Sequence, residues 1–68
     1  MKVKLNRRTI QVFEGAQVKH ALLKYFTEKK LNKDFIDQTE VHDAEGHVID
    51  HDAPLTENQK ITFEEPQP

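Results

Sequence analysis

Val48-Ile49-Asp50-His51-Asp52-Ala53-Pro54-Leu55-Thr56-Glu57-Asn58-Gln59-Lys60-Ile61-Thr62-Phe63 is the stretch that decides the fold. Val48-Ile49 reads as a strand, and Asp52-Ala53-Pro54-Leu55 as a polar bend whose Leu55 plugs a core. Glu57-Asn58-Gln59 follows as a tight turn, with Asn58 able to take φ > 0. Lys60-Ile61-Thr62-Phe63 is then a last strand, with Ile61 and Phe63 turned inward.

Working outward, Glu40-Val41-His42 and His47-Val48-Ile49 flank Asp43-Ala44-Glu45-Gly46. That is a type I turn with Gly46 in the left-handed position, closing a hairpin. Near the start, Lys2-Val3-Lys4-Leu5 and Thr9-Ile10-Gln11-Val12 alternate with period two and form another hairpin, with Val3, Leu5, Ile10 and Val12 inward. Its connection is Asn6-Arg7-Arg8. A two-residue type I′ turn prefers Asn-Gly, so Arg7 in the glycine place costs about 1 kcal/mol unless the loop is wider.

Between the hairpins, Glu14-Gly15 breaks the strand and residues 16–30 carry helical period. Val18, Ala21, Leu22, Tyr25 and Phe26 share one face, with His20, Lys24 and Thr27 opposite. Lys29 and Lys30 fall in the last turn, where cations suit the helix dipole. The start is poorly capped, because Ala16 stands where Ser, Thr or Asp is preferred. Residues 31–38 are a polar connection anchored by Leu31, Phe35 and Ile36.

Sixty-eight residues make one small domain, which buries only about 60% of its unfolded surface. The expected organisation is a domain over residues 1–64 and a flexible acidic, proline-bearing tail over 65–68. The chain has no cysteine, so disulfides and thiolate-held zinc or iron–sulfur sites are excluded. Met1-Lys2-Val3-Lys4-Leu5 lacks the apolar run of a signal peptide, and no apolar stretch nears the roughly 20 residues of a membrane span. A cytoplasmic protein that does not engage membranes is the expectation.

The net charge of −2 conceals an asymmetry. Residues 1–33 hold nine Lys/Arg against two Glu, net +7, and residues 34–68 hold one Lys against ten Asp/Glu, net −9. Such a split either makes a basic face for nucleic acid or an acidic partner, or cancels as the halves interleave. Cancellation is the expectation.

The order strand-strand-helix-strand-strand-strand resembles the β-grasp, or ubiquitin-like, fold: α+β, a mixed four- to five-stranded sheet packed on one helix. Val12-Phe13-Glu14-Gly15-Ala16-Gln17-Val18 looks like the strand–glycine–helix junction of small sulfur-carrier proteins and TGS domains. Ala44-Glu45-Gly46-His47-Val48-Ile49, and Ala53-Pro54-Leu55 followed by Lys60-Ile61-Thr62-Phe63, look like their later strands and Pro-Leu anchor. These motifs specify a fold and not a partner. Sulfur carriers act through a terminal Gly-Gly; this sequence ends Glu64-Glu65-Pro66-Gln67-Pro68, so that role is carried over to no residue here. The resemblance also implies that the first and last strands run parallel and adjacent. Lys2 and Lys4 would then lie beside Thr62 and Glu64 and offset their charge, leaving Lys19, Lys24, Lys30 and Lys33 as a positive region.

The histidine–acid run from His42 to Asp52 suggests a metal, but the turn geometry opposes it. Asp43 would face His47 while His42 pairs with Val48, and His47 and His51 would stand roughly 13 Å apart on a strand. No cofactor or metal is expected. Serine is absent, the threonines lack a base neighbour, and Glu64-Glu65 lies on the tail, so catalysis is not expected. Phe13 reads in two ways. Alternation puts it outward with Gln11 on the open sheet face, or it folds over the helix start as a staple.

The reading that results is a non-catalytic protein-interaction module using the open sheet face, with Lys2, Lys4, Gln11, Phe13, His42 and Thr62 as partner-binding candidates. The alternatives are a TGS-like RNA-binding or regulatory domain using the helix lysines, and a truncated sulfur carrier. A protein partner is expected, RNA is the alternative partner, and no DNA binding is expected.

Overall fold

A computed structural model describes residues 1–64. The expected tail, Glu65-Pro66-Gln67-Pro68, lies outside the described residues, and with it one member, Glu65, of the Glu64-Glu65 pair. The elements are β1 (Lys2–Leu5), β2 (Arg8–Gln11), α1 (Val18–Glu28), a 3₁₀ segment (Lys33–Gln38), β3 (Val41–Asp43), β4 (Val48–Ile49) and β5 (Lys60–Phe63). The fold is α+β: a five-stranded mixed sheet, ordered β2-β1-β5-β3-β4, packed on one main helix.

Alternation fixes the two faces of the sheet. Val3, Leu5, Ile10, Val41, Ile61 and Phe63 are buried on one side, while Lys2, Lys4, Thr9, Gln11, Lys60 and Thr62 are exposed on the other. The helix covers the apolar side with the stripe its sequence announces, Val18, Ala21, Leu22, Tyr25 and Phe26, all buried. Phe63 meets Tyr25 edge-on at 5.0 Å between ring centroids and stacks near Phe26 at 6.3 Å, tying the last strand to the helix. Leu55 enters the same core, and its amide donates to the carbonyl of Ala16 at 3.0 Å.

Several local expectations are corrected. The helix runs over Val18–Glu28 rather than 16–30. Ala16 is not its cap but a fully buried core residue, and Gln17 is the N-cap. His20 Nδ1 accepts from the Gln17 backbone amide at 2.9 Å, so a half-buried histidine does the reciprocal work usually done by Glu or Gln three residues into a helix. Lys29 and Lys30 lie beyond the last turn. Lys29 is the C-cap, with its ammonium 5.5 Å from the Tyr25 ring centroid, and Lys30 is left-handed at φ 58°. The first hairpin has a two-residue connection, and only Asn6 carries positive φ, so Arg7 bears no left-handed strain. Asn6 Oδ1 also accepts from the Phe63 amide at 3.0 Å. Phe35 does not anchor the 31–38 connection. It is 38% exposed, while Leu31 and Ile36 pack against the core.

The first and last strands are indeed parallel neighbours, but in a different register from the one expected. Lys4 pairs with Lys60 and Leu5 with Ile61, so Lys4 does not lie beside Glu64, nor Lys2 beside Thr62. The cause is the turn before β5. Asn58 takes φ 63°, its amide donates to Lys2 O at 2.7 Å, and the Lys4 amide donates to Gln59 O at 2.8 Å. Pairing therefore begins directly out of the turn.

Candidate functional site

The face of the sheet opposite α1 is uncovered among the described residues. Across it, Gln11 stands beside Lys2, Thr9 beside Lys4, and Lys4 beside Lys60. Farther along, Thr62 lies beside His42 and His42 beside Val48, which is 61% exposed. Five of the six candidate residues thus share one surface: Lys2, Lys4, Gln11, His42 and Thr62.

Phe13 does not join them. β2 ends at Gln11, the chain turns so that the Ala16 amide donates to Phe13 O at 3.1 Å, and the Phe13 ring comes to rest 5.0 Å from the His20 ring on the helix. It remains 60% exposed, at the sheet edge on the helix side, in an open groove with Gln11, Val12, His20 and Lys24. The staple-like alternative is nearer the geometry than the open-face one.

Three residues of the face were not singled out from sequence. Thr9, Asn58 and Lys60 join Lys2, Val3 and Lys4 around an open depression of about 370 Å³. Lys60 is the single lysine of the chain's second half, and its register sets it beside Lys4. A usable signal existed: Lys60 and Thr62 share the outward parity of a strand expected to pair with the first one.

The charge halves therefore cancel only in part, and not at the first and last strands. Lys2, Lys4 and Lys60 cluster on β1 and β5. The exposed residues Glu40, Asp50 and Glu64 directly adjoin the paired residues of β3, β4 and β5 in sequence. Glu40 Oε1 is 3.0 Å from His42 Nε2, which holds that carboxylate on the His42 side. No carboxylate lies within ion-pair distance of the Lys2, Lys4 or Lys60 ammonium among the described residues. The helix lysines are more occupied than expected. Lys19 Nζ lies 3.0 Å from Asp52 Oδ1, and Lys24 Nζ donates to the edge-strand carbonyl of Gln11 at 2.6 Å. Arg8 reaches Glu28 at 3.3 Å, so helix side chains help to blunt the β2 edge.

The histidines are dispersed. His51 Nε2 lies 2.7 Å from Thr39 O, and His47 Nδ1 is 3.7 Å from Asp43 Oδ2. As expected, Asp43 stands over His47 while His42 pairs with Val48. Among the described residues no three His, Asp or Glu side chains converge in a metal-ligating group. Asp43 serves the turn instead: its Oδ1 accepts from the amides of Glu45 at 2.8 Å and His47 at 2.9 Å. The His47 amide is the main reason its carboxyl is held below the ordinary value, since these bonds favour the ionised form.

No helix among the described residues is long and apolar enough to cross a membrane. The chain matches no protein-family model. Nor does any curated protein match it significantly.

Proposed function

We propose that this chain is a β-grasp domain that acts as a non-catalytic protein-interaction module, binding its partner through the helix-free face of the sheet. The strand order β2-β1-β5-β3-β4, with β1 and β5 parallel at the centre and one helix on one face, supports the β-grasp reading. The observation that carries the contact surface is the row of exposed Lys2, Lys4, Gln11, Lys60, Thr62 and Val48, with half-buried His42 among them, on one uncovered face. It mixes cations, hydrogen-bonding groups and an exposed aliphatic side chain, the composition of a contact rim more than of a catalytic pocket. The non-catalytic reading is supported by the absence of Ser and Cys and by histidines engaged with a helix start, a backbone carbonyl and surface carboxylates.

Of the lysines on which the RNA alternative rests, Lys19 and Lys24 have partners within the molecule, which leaves it Lys30 and Lys33. A truncated sulfur carrier shares the β-grasp strand order, and nothing else among residues 1–64 favours it over the interaction module.

Affinity capture from native extract with Val48→Asp, His42→Ala and Thr27→Glu chains tests the proposal. The two sheet-face substitutions should lose a nuclease-resistant protein partner that wild type and the helix-face Thr27→Glu retain. Loss only with Thr27→Glu would move the contact to the helix, and a catch that disappears with nuclease would replace protein by RNA.

A further inference from the structure

We infer that the depression bounded by Lys2, Lys4, Lys60, Thr9 and Asn58 is an acidic-peptide subsite, taking the carboxylates of a Glu- or Asp-rich protein segment. The inference rests on the sheet face being the contact surface and adds the chemistry of what sits there.

The first argument is a cost. Neighbouring strands stand about 4.8 Å apart, and like charges side by side on one face repel. Lys4 and Lys60 are such a pair, and Lys2 follows Lys4 on the same face. The chain has more acidic than basic residues, yet no carboxylate within the described residues forms an ion pair with these ammonium groups. The repulsion is relieved when an external anion lies between them.

The second argument is the remaining lining. Besides Val3, every residue around the depression carries a side-chain hydrogen-bond donor: three ammonium groups, the Asn58 amide and the Thr9 hydroxyl. That set suits carboxylates held in charge-assisted hydrogen bonds.

Two observations favour an acidic peptide over a nucleic acid. Base stacking needs an aromatic platform, and none lines this depression, since Phe13 has turned to the helix side. A phosphate backbone tracking across the face toward His42 would also run onto the Glu40 carboxylate, whereas a short acidic segment can end before it.

The test is a titration of the ¹⁵N-labelled chain at low ionic strength with three separate probes: a capped hexaglutamate peptide, inorganic phosphate and an eight-nucleotide oligouridine. The peptide should shift the amides of Lys4, Thr9, Asn58 and Lys60. Lys60→Glu should weaken it at least tenfold while being no less resistant to unfolding than wild type, so that lost binding is not lost folding; Lys4→Glu provides a second reading of the same site. No peptide shifts at millimolar concentration would overturn the inference, as would equal shifts with phosphate or tighter binding of the oligonucleotide. Failure here with retained capture of a protein through Val48 and His42 would remove the acidic subsite alone and leave the interaction surface standing.

Discussion

Lys4 and Lys60 lie side by side on the parallel β1–β5 pair, both exposed and neither within ion-pair distance of a carboxylate among the described residues. Reversing one charge turns repulsion into attraction across the sheet. Lys60→Glu should therefore stabilise the fold by roughly a few tenths of a kcal/mol, read as a higher urea midpoint at low salt. Adding Lys4→Glu restores a like-charge pair and should return the midpoint toward wild type. A lower midpoint for Lys60→Glu alone would mean that the ammonium has a structural task.

Lys30 occupies a conformation that suits glycine. Its φ of 58° lies just past the end of α1, where a left-handed residue stops the helix. A non-glycine residue there carries about 1–2 kcal/mol of backbone strain. Lys30→Gly should raise stability by about 0.5 kcal/mol, less than the strain because glycine also frees the unfolded chain. Thermal unfolding of the two proteins measures the difference, and a destabilised Lys30→Gly would refute the strain.

His20 should be worth more than its place on the polar side of the helix suggests. It accepts the Gln17 amide at 2.9 Å and supports the Phe13 ring. His20→Ala should cost about 1 kcal/mol through the lost N-terminal hydrogen bond. A double-mutant cycle with Phe13→Ala should give a coupling of about 0.5 kcal/mol, and additivity would mean that the ring contact contributes nothing.

Asp43 supplies the pH dependence of the second hairpin. Amide donors, His47 first, hold its folded carboxyl below the ordinary 3.8. A depressed folded value means that its contribution is present above the unfolded value and is lost as pH falls through the folded one. Titration of the Asp43 carboxyl carbon by NMR should give a midpoint under 3.8, and the stability gap between wild type and Asp43→Ala should narrow below that pH. A midpoint at or above it would contradict the turn geometry.

Much of this architecture was legible because burial leaves a periodic trace. Val18, Ala21, Leu22, Tyr25 and Phe26 announce the helix face, and the alternation of Val3, Leu5, Ile61 and Phe63 announces the inner side of the sheet. Register was not legible. Lys4 beside Glu64 and Lys4 beside Lys60 differ by a shift of four residues, an even number that keeps every side chain on its own face. Only the Asn58 turn and its hydrogen bonds choose between them, and that choice gives Lys4 a lysine neighbour where a glutamate was expected. The open-face reading of Phe13 fails for a related reason, while the staple-like one comes nearer: parity holds only while a strand continues, and β2 stops at Gln11.

The most direct test of the account is site-specific photo-crosslinking in the native cell, with the photoreactive residue placed at Thr62 in the centre of the open face or at Thr27 on the outer helix. The account predicts a discrete, nuclease-resistant protein adduct from Thr62 and none from Thr27. Adducts from Thr27 alone, or only RNA adducts from Thr62, would contradict it.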